Sequence, residues 1–504
     1  ACMARREYTD QEIIESVPRK GFFGHPKGLL TLFITEFWER FSYYGMKAIL
    51  LYYLYYATSK GGFGLKETDA MIIVTLYGAL VMMSTIIGGW FADRLIGARK
   101  AIIYGAILIM FGHILMSIPG NFAMLLIALA LIIIGSGLLK PSMSTNVNEL
   151  YVKEDSRIDA GFTIFYMSVN LGAWISPFIV GQLHSSFGFH AGFAAAAVGM
   201  FFGLIWFVMT QKNTLGFTGL NVPNPLSKGE GKKVAMIATG ITILIAIILF
   251  IFKLFGMLNL EGITWIMTFF GLGIPAVYLT YMYTHPKTSS DEKSRLLAYI
   301  PLFIAAVIFW AIQEQGATVL AEFADQKTQL DLKPLLGIDY VIPAAFFQSL
   351  NPMFIVIFAP VFSMLWVKLG KFNPSTPLKF AIALIFAGLG YIAMVYPIMS
   401  GEQLINPLWL VLSFFLIVLG ELCISPIGLS TTTRMAPQAF TTQMLSVWFL
   451  SNAAAQGLNA QLVQIYGAVD PASYFGYMGL VAIGLAVLLI VLVPIIKKAM
   501  RGVH

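Results

Sequence analysis

The stretch TEFWERFSYYGMK, residues 35–47, lies inside an apolar segment that runs from about 29 to 57. An apolar segment of this length usually crosses a lipid bilayer, where a charged side chain is costly. This one nevertheless carries Glu36, Glu39, Arg40 and Lys47. At about 100° per residue, an α-helix places all four charged groups on one side. The pattern therefore predicts a membrane helix that faces a polar interior.

The composition extends this interpretation to the whole chain. Of its 504 residues, 58% are hydrophobic and 11% are charged, whereas a soluble protein has about 25% charged residues. A membrane helix needs about 20 mostly apolar residues, and the chain contains fourteen candidate segments. They lie near 29–57, 70–92, 101–119, 122–148, 160–184, 189–210, 234–255, 262–283, 296–321, 341–367, 380–397, 405–432, 439–466 and 473–496. The predicted fold class is an all-α membrane protein with fourteen transmembrane helices.

Two polar stretches, at 211–233 and 285–295, divide the predicted spans into six, two and six. The predicted domains are a cytoplasmic tail, an N-terminal six-helix bundle, a linker with two extra transmembrane helices, and a C-terminal six-helix bundle with a short cytoplasmic tail. Their boundaries are 1–27, 28–210, 211–295 and 296–504.

Two short sequence echoes relate the two groups of six spans. Gly135–Ser142 resembles Gly420–Ile427 in the offsets of Gly and Pro, and the loop Asp93–Lys100 resembles Lys368–Lys371. If the two inserted spans are left out of the numbering, each similarity relates one span to the span six places later. Such internal repeats are typical of transporters.

The basic residues predict the orientation of the chain. Of its 32 Lys and Arg residues, 24 lie on the side of the N-terminus, five on the opposite side and three within spans. Because cytoplasmic loops are enriched in Lys and Arg, we expect both termini in the cytoplasm and the protein in the plasma membrane. The basic residues are not interleaved with aromatic residues, so no nucleic-acid partner is predicted.

Charges within spans mark the candidate site, because such groups normally face a bundle interior or a wet cavity. The N-terminal half supplies bases and the C-terminal half supplies isolated acids, an arrangement that suits a zwitterion with a carboxylate and an ammonium. The sequence has no phosphate-binding loop and no metal-ligand spacing, so we expect no cofactor. The bases are Arg40, Lys47 and Lys140, and the acids are Glu36, Glu39, Glu314 and Glu421.

Several motifs carry a resemblance to a known family. The pattern E-x-x-E-R-F-x-Y-Y at Glu36–Tyr44 resembles that of the proton-dependent oligopeptide transporters (POT/PTR), a branch of the major facilitator superfamily. Gly89–Gly97 resembles the superfamily's loop between spans two and three, and Phe165–Gly172 resembles the peptide-transporter signature. Gly137–Pro141 and Gly420–Pro426 also fit.

The resemblance implies the major facilitator fold, with two six-helix bundles plus two inserted helices typical of bacterial members. It also implies a proton-coupled symporter that imports di- and tripeptides by alternating access, driven by the proton gradient. Three positions depart from the family pattern. The family usually has Arg where this chain has Lys47, and Asn where this chain has Ser142. Before the signature Asn, the family usually has Gly-Ile, whereas this chain has Ser168-Val169.

By resemblance, Arg40 and Lys140 attract the peptide carboxylate, and Glu421 holds the amino terminus with help from Asn170 and Asn351. The remaining substrate-binding assignments are Tyr43, Tyr44 and Tyr77 for the peptide backbone, Trp310 and Trp448 as walls of side-chain pockets, and Lys47 and Ser425.

The same resemblance assigns proton coupling to Glu36, Glu39 and Arg40, and an outer gate to the pair Glu314 and Lys47. The expected partners are peptides, protons and the lipid bilayer, with the protein acting as a monomer.

Simpler interpretations stay open at this stage. The charged motif also fits an ion-pair cluster that only holds helices together, and Lys140 also fits a lysine whose side chain extends to the membrane surface. The two asparagines also fit residues that form hydrogen bonds between helices. The aromatic residues also fit ordinary packing. The functional alternatives are a proton-coupled symporter for another anion such as nitrate, for which one cationic site suffices, and a membrane enzyme. We expect a transporter rather than an enzyme.

Overall fold

The computed structural model describes residues 6–152 and 155–503, so the first five residues of the predicted tail lie outside it. Its described part is almost entirely helical, with one two-stranded antiparallel hairpin of β1 (Gly21–Phe22) and β2 (His25–Pro26) before the first long helix. The helices are α1 (Asp10–Ser16), α2 (Lys27–Tyr55), α3 (Glu67–Phe91), α4 (Ala98–Ser117), α5 (Phe122–Glu149), α6 (Ile158–Phe187), α7 (Phe189–Thr214), α8 (Glu230–Leu254), α9 (Leu260–Thr284), α10 (Ser290–Glu314), α11 (Val319–Gln326), α12 (Lys333–Leu336), α13 (Leu350–Leu369), α14 (Thr376–Ile392), α15 (Val395–Met399), α16 (Pro407–Met435), α17 (Thr441–Ala468) and α18 (Pro471–Ala499).

Twelve helical segments in the described part are long and apolar enough to cross a membrane. The helices α2 and α17 are just as long but are not among the twelve. Helix α2 carries the charged motif, and α17 is rich in Ser, Asn and Gln. The predicted all-α membrane fold is confirmed, whereas the count of fourteen spans stays a prediction.

The chain forms two compact units, and each contains segments distant in sequence. The first unit holds the chain up to Met46 and Met83–Trp265; the second holds Lys47–Met82 and the chain from Ile266 onward. The C-terminal part of α2 and most of α3 therefore pack with the second half of the chain. The sequence-based division at 210 and 295 stays a prediction, because it describes the order of spans and not this packing.

Close helix packing in the first unit surrounds the charged motif. A side chain at Gly172 of α6 would come within 2.7 Å of the Phe37 carbonyl oxygen and 3.1 Å of Arg40 Cβ. Only glycine allows α6 to lie this close to α2. Helix α7 approaches the same helix through Gly203, against Trp38. The signature ending at Gly172 therefore has a structural reason: it brings a second helix directly against the Arg40 backbone.

The sequence echoes correspond to matching local structure. Gly97 and Gly370 each follow a membrane helix and have positive φ angles of 80° and 53°. Pro141 and Pro426 each lie inside a long helix, α5 and α16. Glycine tolerates positive φ at such positions, and an internal proline locally opens the helical ladder.

The predicted ninth span is not one continuous helix. Helix α10 ends at Glu314, a 3₁₀ turn covers Gln315–Ala317, and α11 resumes at Val319. Thr318, with φ −124° and ψ −79°, breaks the helical backbone between them. The break places Glu314 at a helix end and brings the short α11 into the interior of the second unit.

Candidate functional site

Arg40 lies buried in α2 and binds Glu39 through two hydrogen bonds. Its Nε and Nη2 atoms donate to the Glu39 carboxylate at 2.5 and 2.6 Å. Glu36 lies one turn earlier, with 3.7 Å between Arg40 Nε and Glu36 Oε1. The three side chains are each at most 3% exposed. One guanidinium thus faces two carboxyl groups in a dry environment, where a buried charge needs a partner.

The two carboxyl groups of this cluster differ in their contacts. Both Glu39 oxygens accept from Arg40, whereas Glu36 Oε2 is buried and accepts no hydrogen bond from the described residues. Lys140 of α5 is half-buried, and its charge acts on Glu36. Lys140 is therefore near enough to Glu36 to interact with it through its charge. Glu36 is the carboxyl group that is open to a proton without loss of a hydrogen bond.

Aromatic rings complete the environment of the guanidinium. Arg40 Cζ lies 4.6 Å from the ring centroid of Tyr43 and 5.4 Å from that of Tyr44. Such cation–π contacts hold the guanidinium in place without supplying a charge. Tyr43 is buried and Tyr44 half-buried. The predicted grouping of the two tyrosines with Arg40 is therefore present, whereas Tyr77 is buried within α3 of the other unit.

Asn170 makes a local contact. Its Nδ2 atom donates to the Tyr166 carbonyl oxygen at 3.2 Å, one turn earlier in α6. The side chain is half-buried. Among the described residues, the hydrogen bond of this amide nitrogen is therefore within its own helix.

The second unit contains another charged pair. Lys47 Nζ lies 4.0 Å from Glu314 Oε2, with the two side chains 13% and 20% exposed. Asn452 donates to Glu314 Oε1 at 2.9 Å, and Gln456 donates to Oε2 at 3.3 Å. The predicted partners Lys47 and Glu314 are thus brought together. The shortest contacts of the carboxylate, however, are with the neutral amides of α17.

Glu421 is also held by amides. Asn351 Nδ2 donates to Glu421 Oε2 at 3.0 Å, and the side-chain amide of Gln313 lies nearby. No base of the described residues forms an ion pair with Glu421. Its partner Asn351 lies in α13, so the predicted proximity of these two residues is present. Ser425 follows one turn later in α16 and is half-buried.

The two predicted pocket tryptophans have different surroundings. Trp310 is half-buried and packs edge-to-face on Phe309, with the ring centroids 5.3 Å apart. Trp448 is 5% exposed, and its ring fills the space left by Gly428 and contacts Phe380. Ordinary packing therefore describes the contacts of Trp448 in this arrangement.

A further group of acidic residues was missed by the sequence analysis. Glu322 of α11 is 3% exposed, accepts a hydrogen bond from Tyr466 at 2.5 Å, and lies near Glu67 of α3. Three residues later, Asp325 accepts from both Tyr55 and Tyr56 of α2. The signal was hidden because the ninth span was expected to end at 321. These contacts fasten the C-terminal part of α2 and the start of α3 to α11.

Comparison with known proteins gives consistent relationships over nearly the whole chain. Residues 99–479 match the sequence model of the POT family (PTR2). The chain is 54% identical to the uncharacterized transporter YclF of Bacillus subtilis, over 98% of this chain and 99% of that protein. It is 43% identical to a di-/tripeptide transporter of Lactococcus lactis subsp. lactis, over 96% of this chain and 98% of that protein.

A solved structure agrees with the sequence relatives. The crystal structure of a peptide transporter POT in complex with sulfate matches with a TM-score of 0.94 at 53% identity, over 98% of this chain and 100% of that one. The multi-pass helical architecture, the charged motif in α2 and the extent of these matches lead to one assignment. This chain belongs to the POT family of the major facilitator superfamily.

Proposed function

We propose that this protein is a proton-coupled symporter that imports di- and tripeptides by alternating access. One observation carries the proposal beyond family membership. Glu421 lies in a membrane helix, and the neutral amide of Asn351 donates a hydrogen bond to it. An intramembrane carboxylate without a base is costly, and the ammonium of a peptide amino terminus is a cation of the right chemistry to pair with it.

The opposite end of a peptide needs a cation, and Arg40 and Lys140 are the candidates. Arg40 is occupied by Glu39 through both of its short hydrogen bonds. A proton on Glu36 removes one of the two negative charges beside Arg40, so the cluster becomes more positive. The guanidinium N–H groups that Glu39 does not use then bind the peptide carboxylate, for which a guanidinium is well suited. Proton binding and peptide binding thus support each other.

The pair of Lys47 and Glu314 serves as the gate of this cycle. Its 4.0 Å separation and partial exposure make it a weak pair, which opens and closes at low cost. Protonation of Glu314, or the arrival of peptide, removes the attraction. The driving force is about 2.3 kcal/mol per charge per 100 mV, together with about 1.4 kcal/mol per pH unit.

The proposal includes a bacterial plasma-membrane location, both termini in the cytoplasm and a monomeric protein without a cofactor. The orientation is tested with cysteines at Lys228 and Lys333 in a variant that lacks Cys2 and Cys423. An impermeant thiol reagent applied to intact cells should label the cysteine at position 333 and not the one at 228. Labelling of both cysteines from outside would contradict the orientation.

The decisive experiment on substrate compares free and N-acetylated dialanine as competitors of labelled dipeptide uptake. Acetylation removes the ammonium, so it should weaken competition strongly in the native protein. In Glu421→Gln the penalty should shrink, because the charge partner is already absent. An equal penalty in both proteins would show that Glu421 does not bind the amino end.

Liposomes that contain the purified protein separate the alternative functions. Uptake of nitrate without competition by peptides would favour an anion symporter, and recovery of a chemically altered peptide would favour an enzyme. We expect counterflow of intact labelled dialanine. Two charged anchors also predict a length limit, since a dipeptide extends to about 7 Å and a tripeptide to about 11 Å.

A further inference from the structure

The second unit contains a basic cavity that the proposed transport cycle does not use. It has a volume of about 630 Å³ and lies among α13, α14, α16 and the C-terminal end of α18. Three bases line it: Lys379, Arg434 and Lys497. No acid belongs to its lining. The concentration of positive charge in one concave site favours an anion.

Lys379 is the central observation. The residue is only 7% exposed, yet no hydrogen-bond acceptor or carboxylate of the described residues contacts its ammonium. Its Nζ atom lies 4.4 Å from the centroid of the Trp366 ring, and Cys423 is near enough to interact with its charge. An aromatic face stabilises a cation but leaves its N–H donors available. Because Lys379 lines the cavity, its ammonium N–H groups are accessible from that space, and an anion there would accept hydrogen bonds from them.

The start of α14 adds uncharged donors to the same cavity. Ser375 and Thr376 both line it, and Ser375 occupies the N-cap position without a side-chain cap bond. The first backbone N–H groups of a helix have no partner within the helix, and the helix dipole favours an anion at this end. Pro377, in the first turn, has no N–H of its own. The helix start is therefore uncapped by its own side chain and faces a cavity lined by bases.

We propose that this cavity binds a phosphate group, carried either by an anionic phospholipid or by free inorganic phosphate. Several oxygens around one phosphorus match a set of donors that includes two long ammonium side chains, a guanidinium and a helix start. The other wall of the cavity is apolar and includes Phe362 and Leu422. Helix α13, which contributes Phe362, has no buried part in its apolar window, so acyl chains have access from the bilayer.

The location also suits a lipid headgroup. The three bases belong to the membrane side that the Lys and Arg distribution predicts to be cytoplasmic. That side of a membrane carries anionic lipids, which attract basic residues near the membrane surface. This inference does not depend on peptide transport, so the two proposals succeed or fail separately.

The test uses the purified full chain and two probes. In the first arm, sodium phosphate is titrated against sodium chloride at matched ionic strength while intrinsic tryptophan fluorescence and the unfolding midpoint are recorded. In the second, native mass spectrometry counts retained phosphatidylglycerol, with phosphatidylcholine as the uncharged reference. The variants are Lys379→Gln and Arg434→Gln. The matched control is Lys368→Gln, an exposed lysine of α13 outside the cavity lining.

We expect at least one probe to bind the native protein and to bind each cavity variant about tenfold more weakly. The control should behave as the native protein does. Binding of phosphatidylglycerol alone identifies a lipid site, and binding of phosphate alone identifies a free-anion site. If neither probe distinguishes the cavity variants from the control, the proposal is overturned. Arg434 is exposed, so its variant keeps the test valid if Lys379→Gln does not fold.

Discussion

The two charged clusters of this protein, one in each compact unit, hold their carboxylates in different ways. In the Arg40 cluster (Glu36, Glu39 and Arg40), the guanidinium is bound at 2.5 and 2.6 Å and the side chains are almost completely buried. In the Glu314 cluster (Lys47, Glu314, Asn452 and Gln456), the ion pair is 4.0 Å long and the carboxylate is held chiefly by amides.

The difference indicates two different tasks. A tight, dry ion pair separates only when its charge changes, because pulling apart two buried charges costs several kcal/mol. That property suits a site where a proton is exchanged. A long, partly exposed ion pair separates at a low free-energy cost. The neutral amides continue to donate hydrogen bonds to the carboxylate when the lysine moves away. That property suits a contact that opens and closes in every cycle.

The largest expected effect comes from removing Arg40. Arg40→Met leaves Glu39 buried without its partner, and we expect the free energy of unfolding to fall by about 3–5 kcal/mol. Lys47→Met should cost less than about 1 kcal/mol, because Glu314 keeps both amides and is 20% exposed. Denaturant unfolding of the two purified variants gives the comparison.

A rescue variant tests the reason for this difference. Arg40→Met combined with Glu36→Gln and Glu39→Gln removes all three charges of the cluster and should recover most of the lost stability, since no uncompensated charge of the cluster remains. Transport should stay lost. Equal destabilisation by Arg40→Met and Lys47→Met would show that the two clusters do not differ in the cost of removing the base.

The second prediction concerns proton coupling at Glu36, whose Oε2 atom has no hydrogen bond from the described residues. Each pH unit drives about tenfold accumulation of peptide for one coupled proton. Glu36→Gln should lose this accumulation and keep counterflow, because glutamine preserves the shape and cannot carry the proton. Glu421→Gln serves as a comparison that affects peptide recognition. Full pH-driven accumulation by Glu36→Gln would rule out this role.

The charged motif could be predicted because helix geometry leaves little choice. Four charges within one apolar segment must share a face, and that face must be covered. The pairing of Lys47 with Glu314 was also predicted, though only through the family resemblance. The amides of Asn452 and Gln456 could not be foreseen, because polar uncharged residues in a long helix do not reveal which of several neighbours they contact.

Other features depend on packing that a linear pattern does not contain. Glu322 lies at the interior of the second unit because the helix breaks after Glu314 and restarts at Val319. Trp448 packs into the core because Gly428 leaves room for its ring. The environment of Glu322 depends on the break in the helix before it, and the environment of Trp448 depends on a glycine in another helix. The division of α2 between two compact units has the same origin.

The third prediction tests whether Lys47 and Glu314 act as a pair. Each single neutralisation, Lys47→Gln or Glu314→Gln, should impair proton-driven uptake. The loss in the double variant should be smaller than the sum of the two single losses, because both substitutions remove the same contact. Initial uptake rates of the four proteins form the cycle. Additive effects in well-folded variants would mean that the two residues act separately.

The smallest expected effect comes from Lys47→Arg, which would make the Glu314 cluster more like the Arg40 cluster. An ammonium offers Glu314 a point charge at 4.0 Å, whereas a guanidinium offers two parallel donors and a more rigid contact. We expect a closed pair stronger by about 0.5–1 kcal/mol and uptake slower by about two- to fivefold. The unfolding midpoint should rise slightly. Lys66→Arg, at an exposed site, is the control for the substitution itself. If Lys47→Arg leaves uptake and stability unchanged, the strength of the contact between residue 47 and Glu314 does not limit the transport rate. The low cost of separating this pair would then not explain how fast the protein transports its substrate.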